Sequence, residues 1–171
     1  MNHKNSIVKM IMLLNRFEIG PYEHMNEFMS KAALLVTADK EGNPNVMALL
    51  WKTIGELWGI PVITVAVSPS RYTFKLLMEG LNEFTVNIPS HKIENAINIT
   101  GSYSGRNINK FKKAGLEIIA GNKVKVPTIK DCILNYECKI VHSCKSGSMA
   151  SHHLFFGRII VAYTSNEALE K

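Results

Sequence analysis

The densest chemistry in the sequence lies in Ser68-Pro69-Ser70-Arg71-Tyr72-Thr73, where two serines, an arginine and a threonine stand between an apolar run and a helical pattern. A helix N-terminus presents unpaired N–H groups and the positive end of the helix dipole, so it attracts anions. Arg71 can hold a phosphate through parallel hydrogen bonds, and Ser68, Ser70 and Thr73 can add hydroxyls. The same text also suits an ordinary capped helix with a surface arginine. A second hydroxyl-rich loop, Gly101–Arg106 (GSYSGR), precedes another helical stretch. Lys110 follows Arg106 by four residues, the spacing of one helical face. This loop can be a second anion contact or a turn before a solvated basic helix. Neither loop carries the Walker or the dinucleotide glycine spacing.

Other chemistries find less support. His152 and His153 open an apolar run, and adjacent strand residues face opposite sides, so only one of them can enter a given pocket. The histidines match no metal-binding spacing, and no metal site is expected. A nucleophile elbow is absent. Cys132, Cys138 and Cys144 form no CxxC pair, and an odd count argues against a disulfide scaffold. Cys132 and Cys138 are expected on one face of a strand, as small buried hydrophobes. Trp51 and Trp58 can pack on a planar ligand, in the core or at an interface.

These residues need strands and short helices to position them. Residues 32–38 (AALLVTA) and 45–53 (NVMALLWKT) read as a hairpin around the turn DKEGNP. Pro61 opens a third strand, 61–67. Residues 72–80 have helical spacing, with Phe74, Leu77 and Met78 on one face, Ser70 as cap and Gly80 as stop. A strand follows over 83–88, then a helix over 91–99 capped by Ser90. A short helix over 107–114 ends at Gly115, with a weak hairpin in 116–126. Two long strands, 130–143 and 152–163, flank the segment CKSGSMAS. The sum is a mainly β fold with short helices, closed into an antiparallel barrel that leaves few exposed edges.

A chain of 171 residues suits one domain with a real core. Its 46% hydrophobic and 20% charged residues exclude a disordered tail. The net charge of +6 favours an anionic partner, but the basic residues are dispersed. Ile7–Leu14 is far shorter than the roughly 20 residues of a membrane span and contains Lys9, so it reads as an amphipathic helix or a covering strand. The expected location is cytoplasmic, with no membrane partner.

Six texts in order resemble the flavin reductase-like FMN-binding family, the family that includes flavoredoxin. They are PNVM with a following Trp (Pro44–Trp51), SPSRYT (Ser68–Thr73), EFTVNIP (Glu83–Pro89), SGRxxxKF with AGL (Ser104–Leu116), ECK (Glu137–Lys139) and HxLFxG (His152–Gly157). The resemblance spans about Ala32 to Ala162. It implies a split β-barrel over 26–171, a separate extension over 1–25, a homodimer, and FMN near the subunit interface. It further implies that Asn45, Val46, Met47, Ala48 and Trp51 line the flavin, partly through strand backbone groups. Arg71 and Thr73 then hold the phosphate, Ser68 and Ser70 bind the cofactor in the same loop, Lys110 adds positive charge to the phosphate or ring, Asn87 supports the site from behind, and His152 lies at the flavin or substrate opening as the catalytic residue. Ala48, Leu50 and Thr100 stand where the family often has hydroxyl or cysteine side chains, which touches individual hydrogen bonds.

The activity implied is electron or hydride transfer through FMN, from NADH or NADPH or from a redox protein. Two alternatives stand beside it. One is a flavoredoxin-like electron carrier without turnover. The other is a basic barrel that binds nucleic acid and no flavin; the lack of aromatics interleaved with basic residues argues against it.

Overall fold

The computed structural model describes residues 16–148 and 150–165. The reading of Ile7–Leu14 falls outside them. Ten strands and four short helices are described: β1 (Arg16–Ile19), α1 (Met25–Ser30), β2 (Ala33–Ala38), β3 (Pro44–Leu49), β4 (Lys52–Leu57), β5 (Ile60–Val67), α2 (Tyr72–Glu79), β6 (Glu83–Pro89), α3 (Ala96–Ser102), α4 (Lys110–Ala114), β7 (Ile118–Ile119), β8 (Thr128–Ile129), β9 (Cys132–Lys145) and β10 (His153–Ser165). The main sheet is antiparallel in the order β3-β2-β6-β9-β10-β5-β4, with β1 on the far half of β10. Among the described residues β3 and β4 do not pair, so the barrel stays open along one seam. The fold is the mainly β split barrel that the resemblance implies, and the full closure expected from the strand pattern is not reached among the described residues.

Apolar alternation splits the core into two layers. Every residue of β2 is buried, as suits a strand covered on both faces. Ala33 and Leu35 point inward to Phe28, Phe84, Tyr136 and Phe155. Leu34, Val36 and Ala38 point outward to Ala96, Phe111, Val126 and Ile129, which the α3–α4 segment and β8 bring over the sheet. The helices that carry the outer layer are therefore fixed to the sheet by burial, not by their own short length.

Several expected elements differ. The run 45–53 is two strands, β3 and β4, because the chain turns outward at Leu50–Trp51, which are 67% and 68% exposed. Nothing punctuates that corner in the sequence, since both residues are apolar. β4 then pairs with β5 through the two-residue turn Trp58–Gly59, whose φ values of 54° and 72° match the turn that follows strand twist. The helix over 91–99 is a 3₁₀ turn (His91–Ile93) followed by α3. The short helix starts at Lys110, where Asn109 accepts a hydrogen bond from the Lys112 N–H, three residues later than expected. The hairpin of 116–126 is the two-residue pair β7–β8.

Ser70 does not cap α2. Arg71 holds that position, while the Ser68 and Ser70 hydroxyls lie 2.9 Å apart and bond each other. On α2, Leu76 and Leu77 are buried and Met78 is half exposed, so the buried face is shifted from the one expected. Cys132 and Cys138 do not share a face. Cys132 joins the outer layer and Cys138 the inner one, because a register shift between Ile88 and Pro89 puts an extra residue in β9 and reverses the alternation.

Candidate functional site

The open seam of the barrel and the start of α2 enclose a two-part cavity. One part, about 200 Å³, lies between α2, the end of α3 and the start of α4. The other, about 160 Å³, lies in the seam between β3 and the end of β5. Met47 and Arg71 line both. Each alone is below the roughly 300 Å³ of a typical small-molecule site, whereas the joined pair reaches that range.

The first part is cationic. Arg71 and Lys110 reach it from α2 and α4, and Arg106 from the loop between α3 and α4. Lys110 is only 5% exposed, and its Nζ donates to the Thr100 carbonyl at 3.1 Å. Burial, and then the neighbouring charge of Arg71, push the Lys110 ammonium down to about 8. Among the described residues no carboxylate lines this part. Two crowded cations without an acidic partner favour an incoming anion. Ser70, Thr73, Ser102 and Ser104 add hydroxyls around them.

Close packing sets the geometry. Asn45 is buried on β3 and its Nδ2 donates to Thr73 Oγ1 at 3.0 Å, tying the strand to the first turn of α2. A Cβ at Gly105 would stand 1.9 Å from Asn45 Oδ1, so only glycine lets this loop approach the strand. Arg106 and Lys110 do not share a helical face, because Arg106 lies before the helix. The loop still brings both to the cavity. The Arg106 guanidinium sits 5.5 Å from the Tyr72 ring, and its Nη1 donates to the Ser70 carbonyl at 3.4 Å.

The second part is a slot with apolar walls. Met47, Ala48, Leu49, Leu50 and Trp51 form one side. Ala66, Val67, Ser68 and His152 form the other. Among the described residues β3 is an edge strand, paired only with β2, so its free backbone N–H and C=O groups face the seam. At the corner, the Trp51 carbonyl accepts from the Ala66 N–H at 3.0 Å, which extends the β4–β5 pairing by one position. His152 enters the slot, while His153 packs against Phe74 and Phe155 on the other face.

The fold thus brings Met47, Ala48, Trp51, Ser68, Ser70, Arg71, Thr73, Lys110 and His152 around one cavity, with Asn45 behind it. Two expected residues lie elsewhere. The Val46 side chain is fully buried in the outer core, leaving only its backbone toward the seam. Asn87 lines neither part. It is fully buried in the barrel wall, where it donates to the Leu34 carbonyl and accepts from the Ile129 N–H and from Asn135 Nδ2. An amide that closes so many buried backbone and side-chain groups has a structural task. Conversely, Tyr72, Tyr103 and Gly105 escape the sequence reading. For the two tyrosines the signal is an aromatic ring near each loop cation, and for Gly105 it is a glycine directly before Arg106.

Residues 25–171 match the family model described as flavin reductase like domain. The chain belongs to the flavin reductase-like family. An uncharacterized protein of Pyrococcus abyssi is 32% identical over 80% of this chain and 75% of its own length. One from Archaeoglobus fulgidus is 36% identical over 68% of this chain, which spans 63% of that protein. Among solved structures, flavoredoxin of Desulfovibrio vulgaris (Miyazaki F) superposes with a TM-score of 0.70 at 28% identity, covering 80% of this chain and 70% of that one. Flavoredoxin from Methanosarcina acetivorans gives 0.68 at 30% identity, over 79% and 68%. Membership supports a flavin-related, oxidoreductase type of function. Among the described residues, no helix is long and apolar enough to cross a membrane, and no cluster of potential ligands could hold a metal ion.

Proposed function

We propose that the chain is an FMN-dependent oxidoreductase that takes electrons from NADH, NADPH or a redox protein and works as a homodimer. One observation carries the reading. A cation pair with no acidic partner among the described residues, Arg71 and buried Lys110, opens directly onto an apolar slot beside an edge strand. That is the donor set a flat ring with a phosphate tail requires, so the residues present fit FMN. When bound, FMN supplies the hydride or electron transfer. The chain's own residues do the rest. Arg71, Lys110 and Arg106 neutralise the phosphate, and Ser70 and Thr73 offer it hydroxyls. The free backbone groups of β3 take the polar edge of the ring, and Met47, Ala48 and Trp51 keep water from its face. His152 holds or gives a proton at its imidazole at the mouth of the slot.

The dimer is supported by a surface patch. Leu50, Trp51, Trp58, Met25 and Met29, on or beside β4 and α1, are all more than one-third exposed. Exposed apolar groups of this size suit a subunit interface. The similarity to two flavoredoxins favours a second reading, an electron carrier with no turnover of its own.

The test is the visible spectrum of the purified protein, with chromatography of any released chromophore. Yellow protein with about one FMN per chain, or uptake of added FMN, is expected. Colourless protein that takes up no FMN would refute the flavin reading. Steady-state oxidation of NADH or NADPH then separates a reductase from a carrier, and sedimentation reports the dimer.

A further inference from the structure

The rim of the cationic cavity carries more positive charge than a flavin phosphate uses. Residues 95–116 hold Arg106, Lys110, Lys112 and Lys113 and no Asp or Glu. Arg71 adds a further cation from the start of α2. A phosphate monoester brings roughly two negative charges at pH 7, so roughly three positive charges remain at this face with the cofactor bound.

The carboxylates that border the face already have partners. Glu79 lies 3.8 Å from Lys75, Glu94 3.5 Å from His91 and Glu117 2.7 Å from Lys130. Asp39 accepts from the Asn43 backbone and side chain. Among the described residues, no carboxylate pairs with the exposed Arg71, Arg106, Lys112 or Lys113.

Two of these cations are held in place. The Arg106 guanidinium lies 5.5 Å from the centre of the Tyr72 ring, and Lys113 Nζ lies 4.4 Å from that of Tyr103. Both rings line the cationic cavity. A cation over a ring face is attracted by the ring quadrupole, so these charges are positioned in advance, which lowers the entropy that docking costs. The same contacts discriminate between partners. One face of each ring is taken by a cation of the chain, which leaves little free ring for the base stacking that single-stranded nucleic acid uses. An acidic protein needs only the charges.

We propose that the electron donor is a small redox protein with an acidic surface, and that it docks on this rim through Arg106, Lys112 and Lys113. The proposal rests on the flavin reading above and names the donor for that site. The donor gives up two electrons to the flavin, one at each of two dockings for a one-electron carrier, and the accompanying protons come from water. Attraction of this kind raises the association rate and is screened by salt.

The test mixes the FMN-loaded chain with reduced plant-type [2Fe–2S] ferredoxin, a small acidic carrier, and follows flavin bleaching by stopped flow. The second-order rate should fall at least about tenfold from about 20 mM to about 500 mM NaCl. Lys112→Glu and Lys113→Glu together should cost about tenfold or more at low salt and match the parent at high salt, whereas Lys112→Arg with Lys113→Arg should keep the parent rate. Neither lysine lines the flavin cavity, so unchanged FMN affinity in these variants reports an intact fold. No reduction by ferredoxin, a rate indifferent to salt, or an unchanged rate in the Glu variant would overturn the proposal. So would tighter binding of a single-stranded oligothymidylate than of ferredoxin, which would make the rim a nucleic-acid surface. A chain that takes up no FMN overturns the flavin reading itself and is distinct from these results.

Discussion

Raising the pH should weaken the hold on a flavin phosphate, and Lys110 sets where. In the free protein its ammonium titrates at about 8, against an ordinary value of 10.5, because it is buried beside Arg71. A phosphate placed between them leaves the lysine buried but offsets that depression with its opposite charge, so the bound form should titrate near its ordinary value. Phosphate binding above pH 8 then requires the uptake of one proton. With a free value of about 8 and a bound value of about 10.5, linkage gives an affinity loss of about 30-fold between pH 7 and pH 9.5. The assay is the ratio of FMN to riboflavin affinity, which cancels any ionisation of the shared ring. In Lys110→Arg the ratio should stay flat with pH, and in Lys110→Met it should be low and flat. A flat ratio in the parent would refute the reasoning, as would an equal fall in Lys110→Arg. The sign for the free fold is opposite. The unfolded chain binds this proton more tightly, so the Lys110 contribution to stability rises from about pH 8 to about 10.5.

Gly105→Ala drives a Cβ into Asn45 Oδ1, breaks the Asn45–Thr73 bond and should weaken FMN binding at least tenfold with a small loss of stability, read by flavin titration and thermal melting. Asn87→Ala leaves the Ile129 N–H and the Leu34 carbonyl without their partner, so it should cost about 2 kcal/mol in urea denaturation and leave FMN affinity unchanged. Glu137, 1% exposed, accepts from the backbone N–H groups of Asn122, Lys123 and Val124; Glu137→Ala should cost about 3 kcal/mol and expose the 121–127 loop to proteolysis. Burial pushes the Cys132 and Cys138 thiols well above their ordinary value, so only the partly exposed Cys144 should react with a thiol reagent before unfolding.

The strands were legible where local pattern and punctuation agree. Residues 33–38 form an apolar run interrupted only by Thr37 that ends in a turn bearing Gly42 and Pro44, and Pro61 and Gly80 mark the start of β5 and the end of α2. Pattern failed where burial came from elsewhere. The corner at Leu50–Trp51 is apolar yet exposed, and the six-residue spacing of Cys132 and Cys138 hides the bulge that separates them.

Residue types and order alone determined the parts of the site: an anion-seeking loop ending in Arg71, a second basic loop, a strand at 45–51 and a histidine at 152. These follow from local chemistry, because hydroxyls and an arginine before a helix keep their donor character in any fold. Tertiary structure decided how the parts are shared out. It left β3 unpaired along the seam, so that backbone groups became available. It buried Lys110 against Arg71, which turned a lysine from a basic run into a titratable group near neutrality. It also placed Asn87 in the barrel wall, away from the cavity. Burial and proximity between elements more than thirty residues apart depend on how the sheet closes, and sheet closure is a sum over long-range contacts that no local spacing encodes.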